Sequence, residues 1–148
     1  MICIIRIRGR VGLKKEINET LNRLRLRRKY TCVVLEGNKV QLGMIKKVKD
    51  FVAFGKINDK TFEKLIEERV QLIDNQRSRE PLRGKKNKVD LKKVVEELKK
   101  GKKFEELNLK PFFRLHPPRK GINSKLHFPK GVLGDNKEKI NDLVERML

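Results

Sequence analysis

Five of the seven residues in Arg23-Leu24-Arg25-Leu26-Arg27-Arg28-Lys29 are cationic, and the two exceptions are leucines. Guanidinium and ammonium groups at this density do one kind of chemistry well: they neutralise and hydrogen-bond phosphate oxygens, Arg bidentately and Lys as a compact charge. The same residue types recur elsewhere. Arg6, Arg8, Arg10 and Lys14 stand near the start, Lys46 and Lys47 in the middle, and Arg114, His116, Arg119, Lys120 and Lys125 late in the chain. Together these residues are the candidate contacts to a polyanion.

Other chemistry has less to build on. His116 and His127 supply the imidazoles for a general acid–base pair, as in a basic ribonuclease. Both are flanked by cations and prolines, with no acidic cluster near either, so phosphate contact or plain packing is the reading preferred. Two cysteines 29 positions apart and two histidines lack the paired spacing of a zinc site. Gly9-Arg10-Val11-Gly12 fits neither a P-loop nor a dinucleotide fingerprint. No serine or cysteine sits in a nucleophile-elbow sequence. No cofactor is expected.

The 148 residues hold 39 Lys plus Arg against 19 Asp plus Glu, a formal charge of +20. Self-repulsion at that charge destabilises a fold, so a neutralising partner is expected. Phosphate polymers are the commonest one, and an anionic membrane surface is the rival. Residues 1–60 carry 16 cations against 5 anions, which marks them as the main contact surface. Aromatics are 5%, with one Tyr and no Trp. Single-strand readers need stacking platforms, so a folded RNA or DNA held through its backbone is favoured. A DNA-compacting protein stays open at this point.

No run of apolar residues reaches the ~18 needed for a membrane span. Met1-Ile2-Cys3-Ile4-Ile5 meets Arg6 and Arg8 too soon for a signal peptide, and a cytoplasmic location is expected. Cys3 and Cys32 sit in apolar strand patterns and read as buried thiols rather than a disulfide.

The elements that must hold the cations follow from periodicity. Residues 2–8 read as a strand with Cys3, Ile5 and Ile7 on a sheltered face and a second face, Ile2, Ile4, Arg6 and Arg8, that turns basic near its end. Leu13, Ile17, Leu21 and Leu24 form one helical stripe. Residues 30–36 are a second strand, Gly37-Asn38 a turn, Met44, Ile45 and Val48 a helical face after Gly43, and residues 51–54 a third strand. This β-α-β-α-β order predicts an α/β layer fold. Asn58 or Asp59 caps a helix with Phe62, Leu65, Ile66 and Val70 inward. Residues 76–88 hold six cations and one anion and read as a basic linker. Asp90 caps a short helix with Leu91, Val94, Val95 and Leu98 inward. Lys110 to Gly121 contains three prolines and cannot be helix. Asp135 to Glu138 opens a last helix with Ile140, Leu143, Val144 and Met147 as its stripe.

Three spans then carry a resemblance. Ile4 to Gly12, Thr20 to Arg28 and Gly43 to Val48 are together similar to the universal large-subunit ribosomal protein family numbered thirty. Pro111 to Gly121 and Gly134 to Asn141 resemble the extension of its archaeal long form and the eukaryotic counterpart numbered seven. The resemblance implies an α+β fold: a ferredoxin-like β-α-β-α-β core with a three-stranded antiparallel sheet at residues 1–57, plus a mainly helical extension at 58–148. It implies a structural, non-enzymatic protein of the cytoplasmic ribosome, with large-subunit ribosomal RNA, neighbouring ribosomal proteins and the vicinity of 5S RNA as partners. Carried over by position, Arg8, Arg10, Arg27, Arg28, Lys47 and Arg119 are the foremost RNA contacts, while Gly43-Met44 matches a helix start and is read as structural. Where the extension motif often has paired glycines, this chain has Lys120 before Gly121.

Overall fold

The first strand, β1 (Ile2–Arg6), is the centre of the sheet. The computed structural model describes residues 1–71, 73, 91–99, 102, 104–122 and 124–148. After β1 come α1 (Lys15–Arg23), β2 (Thr31–Leu35), α2 (Lys39–Val48), β3 (Val52–Lys56), α3 (Asp59–Arg69), α4 (Leu91–Lys99), β4 (Phe113–Arg114), β5 (Gly134–Asp135), a 3-10 turn (Lys137–Lys139) and α5 (Ile140–Glu145). The basic linker at 76–88 and Asp90 lie outside the described residues.

The fold is α+β, but the sheet is not the three-stranded antiparallel one expected. It is five-stranded and mixed, in the order β4-β2-β1-β3-β5. β1 pairs antiparallel with β2 and β3, as the β-α-β-α-β order implies. The extension then adds a two-residue strand to each edge: β4 antiparallel to β2, and β5 parallel to β3. Both open edges of the first three strands are partly covered in this way, which limits unwanted pairing with other chains.

Both faces of β1 are buried, so the strand has no basic outer face. Cys3, Ile5 and Ile7 join Cys32, Val34 and Ala53 under α3, α4, α5 and the segment around Phe113, in a core that draws on residues from 3 to 147. Ile4, Val33 and Val52 face the other way, against Leu21, Leu24 and Leu26 around α1 and Ile45 and Val48 of α2. The chain thus builds helix, sheet and helix layers. The predicted stripes of α3 and α5 are buried as expected, including Phe62, Leu65, Ile66, Ile140, Val144 and Met147.

Two boundaries differ from expectation for local reasons. Gln41 Oε1 accepts the Asn38 backbone N–H at 3.1 Å, half of a capping box, so α2 starts at Lys39 and Gly43 lies inside it. Asp135 pairs in β5, and its Oδ1 accepts the Lys137 N–H at 2.9 Å, so the last α-helix starts at Ile140 after the 3-10 turn.

Candidate nucleic-acid interface

Strand direction brings the basic loops together. β1 ends, and β2 and β3 begin, at the same end of the sheet, because both neighbours are antiparallel to β1. β4 is antiparallel to β2, so it also ends there. The loop carrying Arg8 and Arg10, the loop carrying Arg27, Arg28 and Lys29, and the segment from Arg114 to His116 therefore share one rim.

Arg6 ties the first two loops together. It is fully buried. Its Nη1 donates to the carbonyls of Leu26 at 2.7 Å and Arg27 at 3.3 Å; its Nε donates to Arg8 O at 2.9 Å and its Nη2 to Gly9 O at 2.8 Å. Burial, and secondarily the charge of Arg10, lowers its pKa from the ordinary value. Arg6 is thus not a surface contact as its pattern suggested: its donors are committed to four backbone carbonyls, of which the bond to Leu26 O is fully buried. Arg10 Nε adds a further bond to Arg27 O at 2.7 Å.

Helix α1 delivers the second loop. It ends in a Schellman motif: Leu26 N–H donates to Leu21 O at 2.8 Å and Arg25 N–H to Asn22 O at 2.9 Å. Arg25 occupies the left-handed position with φ of 60°, where glycine is usual. The chain then turns back toward β2 through Tyr30, which has φ of 61°.

This geometry divides the cluster that looked uniform in sequence. Arg23 pairs with Glu19 at 2.6 Å, and Arg25 pairs with Glu105, eighty residues along the chain. Both arginines border a cleft of about 460 Å³ beside β2 rather than the rim. Among the described residues, Arg8, Arg10, Arg27, Arg28 and Lys29 have no carboxylate partner, and all five are exposed. Their guanidinium and ammonium groups are displayed without local neutralisation. Arg8 lies over the Phe51 ring at 5.9 Å and Lys29 over Tyr30 at 4.6 Å, contacts that hold the side chains without removing charge.

The extension adds to the rim. Arg8 Nη2 donates to Lys125 O at 3.2 Å, which docks the exposed Lys125 beside it. Arg114 is exposed and lies over Phe112. Exposed His116 is held through its backbone, whose N–H donates to Met147 O at 3.0 Å. Arg119 and Lys120 are exposed on a turn clamped by Arg146, which donates to Arg119 O at 2.8 Å and Gly121 O at 2.5 Å. Sequence reading missed Arg146; its place just past the end of α5, between the stripe residues Val144 and Met147, was the available signal. Lys120 has φ of 64° and Gly121 of 70°, so both positions need the backbone that a glycine pair adopts without strain.

The remaining candidates lie off these loops. Lys14 is exposed in front of α1. Lys46 and Lys47 are exposed on α2, with Lys47 at 3.4 Å from Glu16. The two histidines are not brought together: His116 follows β4 and His127 bridges to Leu133 beside β5, at opposite edges of the sheet. Four strand spacings separate those edges, roughly 19 Å. His127 Nε2 instead meets Asp50 Oδ1 at 2.8 Å, a carboxylate that sequence proximity did not reveal. Among the described residues, no helix is long and apolar enough to cross a membrane.

Comparison with known proteins gives one consistent result. The family described as "Ribosomal protein L30p/L7e" matches residues 2–52. Over nearly the whole chain there are archaeal relatives, each described as "Large ribosomal subunit protein uL30". The protein of Archaeoglobus fulgidus is 40% identical over 151 residues, covering 99% of each chain. That of Methanococcus maripaludis strain C5 is 39% identical over 150 residues, covering 98% of this chain and 97% of its own. That of Nanoarchaeum equitans is 36% identical over 153 residues, covering 100% and 99%.

Proposed function

Since the chain belongs to the ribosomal protein L30p/L7e family, in its archaeal long form, we propose that its basic rim binds and stabilises folded large-subunit ribosomal RNA. Family membership makes it a ribosomal protein of the large subunit, cytoplasmic as part of the ribosome, and not an enzyme. One observation carries the RNA-binding reading. Five exposed cations with no carboxylate partner among the described residues stand on two loops whose spacing is set by a buried arginine.

Phosphate contacts position a protein on a nucleic acid without reading its sequence. A rigid rim of cations therefore selects a shape: phosphates and 2′-hydroxyls at matching separations on a folded RNA. The proposed contacts are Arg8, Arg10, Arg27, Arg28 and Lys29, extended by Lys14, Lys46, Lys47, Arg114, His116, Arg119, Lys120 and Lys125. Arg6 serves them from beneath. Neighbouring ribosomal proteins, and on the resemblance alone 5S RNA, complete the set of partners.

The experiment is a salt titration of binding to purified large-subunit ribosomal RNA, with duplex DNA as competitor. Log affinity should fall by roughly 0.7–0.9 per log salt for each phosphate neutralised. A flat salt response, or equal competition by DNA, contradicts the proposal.

A further inference from the structure

Eight glycines lie among the described residues, and six have a reason inside the protein. Four have positive φ, and at Gly55 and Gly131 a Cβ would come within 2.3 Å of a backbone carbonyl oxygen. Gly9 and Gly43 have neither reason: a Cβ at either meets nothing within 4 Å. Gly9 stands between Arg8 and Arg10, on the rim already described. Gly43 is the unexplained one. It lies inside α2, where glycine is less stable than alanine. A helix that keeps glycine against its own stability, with open space over it, points to something outside the chain that comes close to the backbone.

The surroundings specify that partner. Residues three and four positions away share a helix face; for Gly43 these are Lys39, Val40, Lys46 and Lys47. All four are exposed, Val40 at 69%. α2 contains no acidic residue. A groove of about 410 Å³ runs beside this face, with Glu16, Glu19 and Arg23 of α1 on its other wall. Its two acids are already paired, Glu16 with Lys47 at 3.4 Å and Glu19 with Arg23 at 2.6 Å. The face is therefore flat at its centre, cationic around it and free of unpaired acid.

We propose that Gly43 seats the sugar-phosphate backbone of an RNA strand, with ribose over Gly43 and Val40 and phosphates at Lys39, Lys46 and Lys47. This rests on the ribosomal-RNA reading above, which already counts Lys46 and Lys47 as contacts, and adds Gly43, Val40 and Lys39 to make of them a second contact face.

Filter binding to purified large-subunit ribosomal RNA at one fixed salt, with thermal melting and hydroxyl-radical footprinting of the RNA, tests it on four proteins: wild type, Gly43→Ala, Gly43→Leu and the double variant Arg27→Glu/Arg28→Glu. Gly43→Ala should melt about 2–4 °C higher than wild type. It should nonetheless bind more weakly. Gly43→Leu should lose roughly tenfold or more in Kd, and lose protection over an RNA segment different from the one the double variant loses. Wild-type affinity in both Gly43 variants, or loss of the same segment as in the double variant, overturns the inference. If Gly43→Leu misfolds, Gly43→Ala decides, because a more stable yet weaker binder has no explanation within the free protein. Loss of binding in the double variant alone leaves the rim intact as the RNA site and removes only this second face. Absence of salt-sensitive binding by wild type in the salt titration described above removes both.

Discussion

The guanidinium of Arg6 and the carbonyl of Leu26 lie 2.7 Å apart, although twenty residues separate them in the chain. That bond joins the end of β1 to the loop that enters β2, so the spacing of Arg8 and Arg10 against Arg27 and Arg28 depends on a residue that reaches no solvent.

Replacing Arg6 should therefore affect folding and binding together. Arg6→Ala leaves the Leu26, Arg8 and Gly9 carbonyls without the Arg6 donor, while Arg27 O keeps only Arg10, and should destabilise by about 3 kcal/mol. Urea unfolding gives the stability change. RNA affinity of the folded fraction should fall as well, since the two loops are no longer tied. An Arg6→Ala protein with native stability and native affinity would contradict the clamp.

The split within the Arg23–Lys29 cluster predicts unequal effects of equal charge changes. Arg27→Glu with Arg28→Glu should weaken RNA binding strongly and flatten the salt dependence by roughly 0.7–0.9 log units per lost phosphate contact, while the protein stays folded. Arg23→Glu with Arg25→Glu, which disrupts two exposed pairs, should change binding much less. Salt titrations of both double variants compare them directly, and equal losses would refute the division.

Lys120 carries a charge on a backbone that favours glycine. Lys120→Gly should raise stability by about 1 kcal/mol and lower RNA affinity modestly. Opposite signs in melting temperature and binding are the signature to look for. A fall in both would mean that the lysine side chain supports the turn.

The two thiols predict an alkaline limit. Cys3 Sγ and Cys32 Sγ are 3.3 Å apart and fully buried. The hydrogen bond that the Cys32 thiol makes to Cys3, then burial, then the Cys3 charge raise the Cys32 pKa well above the ordinary 9.0. The unfolded chain therefore releases that proton first. Stability from this group is complete below the unfolded value and is lost as pH rises above about 9, by at most ~1.4 kcal/mol per pH unit. Urea titrations from pH 7 to 10.5 should show this slope in wild type and a shallower one in Cys3→Ala/Cys32→Ala.

Phe113 tests how far the extension is part of the main fold. It pairs opposite Cys32 and packs edge-on against Phe104 at 5.9 Å. Phe113→Ala should cost about 3–5 kcal/mol and shift one cooperative transition seen alike by circular dichroism and fluorescence of Tyr30. Two separated transitions would show that the segments unfold independently.

The sequence by itself determined the charge, the apolar stripes of α1, α3 and α5, the first three strands and the family. These are properties of neighbours within a few residues, and periodicity records them directly. It could not separate Arg6 from Arg8. Both are arginines at alternate positions, and only the arrival of the Leu26 and Arg27 carbonyls makes burial of one tolerable. β4 and β5 were illegible because two residues carry no period; they are strands only because β2 and β3 offer them edges. Glu105 reaching Arg25 and Asp50 reaching His127 were hidden for the same reason. A side chain's type states which bonds it can make. Which group comes within 3 Å of it depends on how distant segments pack, and here that packing decided which cations stay exposed without a carboxylate.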